Sequence, residues 1–165
     1  MKIRTLLALA MLLPIVVLAD DASHIGAVLD SFHAAAARGD KDDYLALMTD
    51  DGVFLGTDEW ERWPKQPEFA DYVGSRFTDG SGWDYRSVER NIRVADSGDF
   101  AWFDEVLFSE LNGRFRGTGV LVRQRDGWRI AHYAMSFIVL NENWTDVIEL
   151  TKKTRELKSS SEVSE

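Results

Sequence analysis

The chain has 165 residues, a hydrophobic fraction of 45%, a formal net charge of −9 and no cysteine. This length suits one domain with a substantial core, and the missing cysteine excludes disulfides, thiolate nucleophiles and cysteine metal sites. The acidic balance argues against nucleic acid as a partner, because phosphate backbones are themselves anionic.

The first 19 residues are typical of a secretory signal. Lys2 and Arg4 precede an apolar stretch, and Val17 and Ala19 are small residues at the positions that signal peptidase reads. Cleavage before Asp20 is therefore predicted, with a periplasmic or secreted location and no membrane attachment after cleavage; the alternative is an uncleaved anchor.

Helical periodicity dominates the next part of the chain. Apolar residues recur on one face of 22–38, which predicts a first helix ending at Gly39, and Asp40 is a capping candidate for a second, short helix. The polar turn 49–52 leads to a short strand, 53–55, and a third helix is predicted over 69–77 after an irregular loop.

From Trp83 onward the pattern is that of strands. Four long apolar runs are separated by turn sequences, of which Asn112-Gly113 and Asp126-Gly127 are strong hairpin signals. The predicted runs are 83–94, 100–111, 114–125 and 128–140. They predict an antiparallel meander, so that the whole domain is α+β.

The segment after Asn141 is predicted to contain a helix followed by a polar end. Lys158–Glu165 holds too little apolar surface to order itself and is predicted to be disordered. The predicted organisation is therefore a signal peptide at 1–19, a domain at 20–143 and a helix with a disordered tail at 144–165.

This layout resembles the nuclear transport factor 2-like superfamily, in its SnoaL-like branch. The resemblance spans most of the mature chain and is carried by a few short motifs, namely Phe54–Asp58, Glu61–Trp63, Ala101–Glu105, Arg116–Val120, Trp128–Tyr133 and Ser136. It implies a cone in which three N-terminal helices pack in a curved antiparallel sheet and enclose one deep pocket. It also implies a homodimer formed through the outer face of the sheet.

The resemblance, together with strand alternation, selects the residues that are expected to line this pocket. Side chains two apart on a strand share a face, so Arg116 is placed inward with Thr118, and Tyr133 inward with Met135, by comparison with relatives. The aromatic residues of the first strand, the following segment and the second long run complete the predicted ligand-binding set. That set is Phe54, Trp60, Trp63, Phe103, Arg116, Thr118, Tyr133 and Met135.

Only one acid of the adjacent pair Asp104 and Glu105 can point into the cone, and Glu105 is preferred. Glu105, Asp58 and Tyr133 are the candidate catalytic residues, with Arg116 available to bind a carboxylate. Pairing with arginine would keep an inward acid ionised, whereas an apolar pocket would raise its pKa, and the sequence leaves both environments open. The three histidines, His24, His33 and His132, are not clustered in the sequence, so a zinc site is not predicted, and no metal and no cofactor is expected.

Three functions remain open at this point. The first is binding of a small, partly apolar molecule in the cone. The second is acid–base catalysis on the same fold, such as isomerisation or dehydration. The third is an assembly module in which dimerisation matters more than the pocket. A fold of this kind supports all three.

Overall fold

The computed structural model describes residues 13–78 and 80–162. Its helices are α1 (Leu13–Arg38), α2 (Lys41–Ala46), α3 (Ala70–Arg76) and α4 (Trp144–Glu162). Its strands are β1 (Met48–Leu55), β2 (Arg62–Pro64), β3 (Arg86–Val94), β4 (Phe100–Ser109), β5 (Gly113–Gln124) and β6 (Gly127–Phe137). A short irregular segment, Lys65–Phe69, with Gln66 in an extended conformation, precedes α3, and a 3₁₀ turn, Asn141–Asn143, precedes α4.

The six strands form one sheet in the order β2-β1-β6-β5-β4-β3. The predicted meander of four long strands, β3 to β6, is confirmed, with antiparallel pairing throughout. The α+β class is confirmed, and the curved sheet is mixed rather than purely antiparallel, because β1 pairs with β6 in parallel. The chain between these two strands runs through α3 and the rest of the meander, which is the long connection that parallel pairing requires.

The hairpin turns fold as their residues predict. Gly113 and Gly127 have positive φ values of 81° and 130°, which residues with a side chain rarely adopt. These glycines join β4 to β5 and β5 to β6, and they set the register in which Glu105 lies opposite Gly117.

The helix α1 supplies the interior of the cone. Its apolar stripe, including Ile25, Leu29 and Phe32, is almost fully buried and packs against β3 and β6. Burying side chains of this size contributes about 1.5–3 kcal/mol each. Asp40 caps α2 as predicted, since its carboxylate accepts a hydrogen bond from the Asp43 N–H at 3.1 Å.

Residues 13–19 and 144–162 are described on either side of the predicted domain, 20–143. The predicted signal peptide, 1–19, lies partly outside the described residues and stays a prediction, while Asp21 is buried and ion-paired with Arg123. At the other end α4 continues to Glu162, so part of the segment predicted to be disordered is helical. No helix within 13–78 and 80–162 has the length and apolar character needed to cross a bilayer.

The outer face of the sheet exposes several apolar side chains. Trp102 is 48% exposed, and Val120 and Val122 of β5 are only partly covered. This is the face through which the homodimer is expected, and the homodimer stays a prediction.

Candidate functional site

A cavity opens between the helices and the β1–β6 side of the sheet. Its enclosed volume is about 140 Å³, or about 640 Å³ when the space out to the open mouth is included. Eight aromatic rings dominate its wall. The lining residues are Phe32, His33, Ala36, Tyr44, Phe54, Gly56, Thr57, Glu61, Trp63, Tyr72, Trp83, Tyr85, Tyr133 and Met135.

The aromatic wall is built by several elements that meet at this point. Trp63 of β2 stacks on Tyr72 of α3, with 4.2 Å between ring centres. Phe54 of β1 stacks on Tyr133 of β6 at 5.5 Å and on Phe69 at 4.5 Å. Offset stacking of this kind holds rings in fixed orientations, so the wall is largely pre-formed.

One polar cluster lies at the inner end of the cavity, centred on the buried carboxylate of Glu105. His33 Nε2 and the Tyr133 hydroxyl both lie against Oε1, at 2.9 and 2.8 Å. Arg90 donates from Nε to Oε2 at 2.8 Å, so three side chains satisfy one carboxylate. We call Glu105, His33, Tyr133 and Arg90 the Glu105 cluster.

Arg90 is fixed from the other side by α1. Its Nη1 donates to Asp30 Oδ1 at 2.7 Å and to the carbonyl of Gly26 at 3.1 Å. Burial by itself would lower the pKa of Arg90, but the charges of Glu105 and Asp30 and the hydrogen bonds to them outweigh burial, so the pKa is raised. The guanidinium therefore carries a full positive charge beside the carboxylate.

Glu105 is ionised. Burial by itself would raise its pKa, but the hydrogen bond from His33, the charge of Arg90 and the hydrogen bond from Tyr133 outweigh burial and lower the pKa to about 2. Burial and the neighbouring carboxylate raise the pKa of Tyr133 well above its usual value. Tyr133 is therefore a neutral phenol that donates a hydrogen bond to Glu105 Oε1.

The ionised state of Glu105 also determines which ring nitrogen of His33 carries the hydrogen. An ionised carboxylate only accepts hydrogen bonds, so His33 Nε2 must carry the hydrogen that lies between them. In the neutral imidazole the other nitrogen, Nδ1, is then a hydrogen-bond acceptor. Because His33 lines the cavity, the imidazole links the buried carboxylate to the space where a ligand would lie.

Two glycines make room for these contacts. A Cβ at Gly117 would lie 2.3 Å from the Tyr133 hydroxyl, and one at Gly56 would lie 2.2 Å from Glu61 Oε2. Side chains at these positions are therefore incompatible with the observed places of Tyr133 and Glu61. At the mouth, Glu61 Oε2 also accepts the Asp58 N–H at 3.0 Å.

The structure brings together only part of the set predicted from the sequence. Phe54, Trp63, Tyr133 and Met135 line the cavity. Glu105 faces inward, as preferred, and Asp104 is exposed on the opposite face of β4. The roles of these residues in binding or catalysis stay predictions.

Arg116 and Thr118 do not face the cavity, so the orientation predicted for β5 is wrong. Both side chains are exposed, and the buried positions of this strand are Phe115, Gly117, Gly119 and Leu121. The physical reason is that large residues of the neighbouring strands need the space: a Cβ at Gly119 would lie 2.8 Å from the Phe103 ring. The middle of the inner face of β5 therefore carries glycines.

Three other candidates also lie away from the cavity wall. Trp60 is 77% exposed at the lip, and Asp58 is exposed beside it, with its backbone N–H bound to Glu61. Phe103 is buried in the core with its ring centre 5.5 Å from that of Tyr133. None of the three is among the lining residues.

Sequence reasoning missed His33 and Arg90, although both carried a signal. His33 follows Leu29 by four positions and precedes Ala36 by three, which places it within the buried stripe of α1. Arg90 shares its face of β3 with Ile92 and Val94, which are partly buried. Within the described residues no group of three His, Asp or Glu side chains has the arrangement of a metal site.

Comparison with known proteins agrees with this architecture. The profile of the SnoaL-like domain matches residues 25–140, which is most of the chain, so the chain belongs to the SnoaL-like domain family. No curated protein matches it significantly.

Solved structures with the same fold come from several bacteria. A protein of unknown function from Mycobacterium tuberculosis has a TM-score of 0.67 at 18% identity, covering 81% of each chain. A putative dehydratase of the NTF2-like family from Streptomyces avermitilis has a TM-score of 0.63 at 20% identity, covering 74% of this chain and 99% of its own. A ketosteroid isomerase-like protein from Erwinia carotovora atroseptica has a TM-score of 0.54 at 23% identity, with 73% and 98% covered. At these identities the likeness establishes the fold as NTF2-like.

Proposed function

We propose that this protein binds a small, partly apolar molecule with one ring in the cavity of the cone. The observation that carries the proposal is an aromatic cavity that ends at the Glu105 cluster. The enclosed volume of about 140 Å³ is close to that of an apolar protein cavity of ~150 Å³ that holds one benzene molecule. The wider mouth leaves space for substituents on the ring.

The polar end of the cavity supports binding over a purely structural role. A buried ion pair is often no more stabilising than apolar residues of the same volume, so the Glu105 cluster is a costly way to fill a core. It is, however, an effective way to hold polar atoms at a fixed place beside apolar walls, which is the usual composition of a small-molecule site.

Titration with phenethyl alcohol tests this proposal, with the fluorescence of Trp63 and Trp83 as the signal. We expect saturable binding to the wild-type protein. Ala36→Leu adds three carbon atoms to the cavity wall and should weaken binding by roughly tenfold, a loss of about 1.4 kcal/mol, because the longer side chain takes up space that the ligand needs. The control is Ala34→Leu, the same change at an exposed position of α1.

Binding that is equal in the two variants would place the ligand outside the cavity, and an absence of saturable binding would remove the proposal. Native mass spectrometry of the protein purified from its host is an independent check. A co-purified small molecule that is lost in Ala36→Leu is the expected result.

Acid–base catalysis is the second candidate, and a specific observation favours it. The Glu105 carboxylate holds the His33 imidazole with its proton on Nε2, which leaves Nδ1 as the basic nitrogen of a residue that lines the cavity. A carboxylate that orients an imidazole in this way is a recurring device for proton transfer. Glu105 itself is a poor general base, because three donors surround it and its pKa is about 2.

Proton exchange at the methyl group of acetophenone in D₂O, followed by NMR, tests this second candidate. If His33 abstracts the proton, the wild-type protein accelerates exchange and His33→Gln reduces the rate by roughly 100-fold, the usual loss on removing a general base. His132→Gln is the control, since His132 does not line the cavity. Exchange that persists in His33→Gln, or no acceleration at all, would count against catalysis by this imidazole.

A further inference from the structure

The described residues that line the cavity include an acidic side chain but no lysine or arginine. Among them, Glu61 is the one with a permanent charge. Arg116, which the sequence had suggested for binding a carboxylate, is exposed on the other face of the sheet. The wall therefore offers no fixed cation to an anionic ligand.

The inner end of the cavity adds acceptors. The Tyr133 hydroxyl proton and the His33 Nε2 proton are both committed to Glu105 Oε1. When both side chains are neutral, His33 and Tyr133 can therefore only accept hydrogen bonds from a ligand. The accepting lone pairs are on His33 Nδ1 and on the phenol oxygen of Tyr133. An N–H or O–H group of a ligand is satisfied there, whereas a carboxylate oxygen would face lone pairs.

The mouth adds a fixed negative charge. Glu61 is held over the backbone of Gly56, with Oε2 bound to the Asp58 N–H at 3.0 Å. Glu59 lies on the same lip and is ion-paired with Arg155. Because Glu61 itself lines the cavity, its carboxylate is available to a cationic group that enters the mouth.

The aromatic walls also favour a cationic ligand. The face of an aromatic ring carries partial negative charge and attracts ammonium and guanidinium groups. One wall ring already does so: the Arg76 guanidinium lies 5.2 Å from the ring centre of Tyr72.

We infer that the ligand is a one-ring organic amine, bound as its cation, with the ring in the aromatic cavity and the ammonium group near Glu61 or the acceptors of His33 and Tyr133. This inference rests on the proposed binding function and narrows it. It assigns the cavity a preference for amines over carboxylates of the same size.

Isothermal titration with three probes of nearly equal shape tests the inference: phenethylamine, phenethyl alcohol and phenylacetate. At neutral pH we expect phenethylamine to bind at least about tenfold more tightly than phenylacetate, with the neutral alcohol between them. Higher salt should weaken amine binding, because Glu61 is partly exposed and its charge is screened.

Glu61→Gln identifies the source of the preference. It should weaken phenethylamine about twofold to fivefold, the range for a partly exposed charge pair, and leave the alcohol unchanged. Glu110→Gln is the matched control, because Glu110 lies in the β4–β5 turn and is not a lining residue. Equal losses in the two variants would show a general charge effect and overturn the role of Glu61.

Two further outcomes separate this inference from the proposed function. Phenylacetate binding as tightly as the amine would overturn the amine preference and leave the cavity as a binding site. Failure of all three probes to bind would overturn both.

Discussion

Replacing Glu105 by alanine should lower the free energy of unfolding by about 3–5 kcal/mol, the usual cost of removing one partner from a buried ion pair. The carboxylate is 1% exposed and is the shared acceptor for His33, Tyr133 and Arg90. Without it, these donors and the Arg90 charge remain in the core with reduced compensation. Urea unfolding monitored by circular dichroism measures the loss.

The adjacent acid provides the control for this prediction. Asp104 lies on the exposed face of the same strand and accepts one hydrogen bond from the Asn91 side chain at 3.2 Å. Asp104→Ala should change stability by no more than about 0.5 kcal/mol, as is usual at the surface. If the two variants were equally stable, Glu105 would not be the centre of the cluster.

The second large effect is a loss of stability in acid that depends on Glu105. Its pKa in the folded protein is about 2, below the ordinary value of 4.5. A lowered folded-state pKa stabilises the protein above the unfolded-state pKa, and this contribution disappears as the pH falls from 4.5 towards 2. The full contribution is about 3 kcal/mol, of which about 2 kcal/mol should be lost between about pH 6 and about pH 3.

Glu105→Gln isolates this contribution from those of the other acids. The variant keeps the shape of the side chain and cannot ionise at this position, so it should be less stable than wild type at neutral pH. The difference in unfolding free energy between the two proteins should narrow as the pH is lowered. A difference that stays constant over this range would contradict the low pKa of Glu105.

Much of the fold was predictable because local sequence signals specify it. Asn112-Gly113 and Asp126-Gly127 are turn sequences that suit the positive φ at Gly113 and Gly127, and they predicted the meander. The alternation of β4 predicted that one acid of the pair Asp104 and Glu105 faces inward, and the preferred one, Glu105, is the buried one. The parallel pairing of β1 with β6 was not predictable, since no local pattern records which distant strand completes a sheet edge.

Side-chain orientation depended on details beyond simple alternation. On β6 the register shifts next to Ala131, between the pairs Val120–His132 and Leu121–Ile130. This bulge allows Ile130 and Tyr133 both to be buried, although strict alternation would place them on opposite faces.

The sequence by itself determined the α+β class, the SnoaL-like family and an aromatic pocket that includes Phe54, Trp63 and Tyr133. The class follows from periodicity and turn residues, which act over a few neighbouring positions, and the family and the pocket follow from the resemblance that the short motifs carry. Only the tertiary structure decided that His33 and Arg90, rather than Arg116, meet Glu105. Those residues are separated by 72 and 15 positions from Glu105, and packing across the cone brings them together because a buried carboxylate must find its donors wherever the fold supplies them.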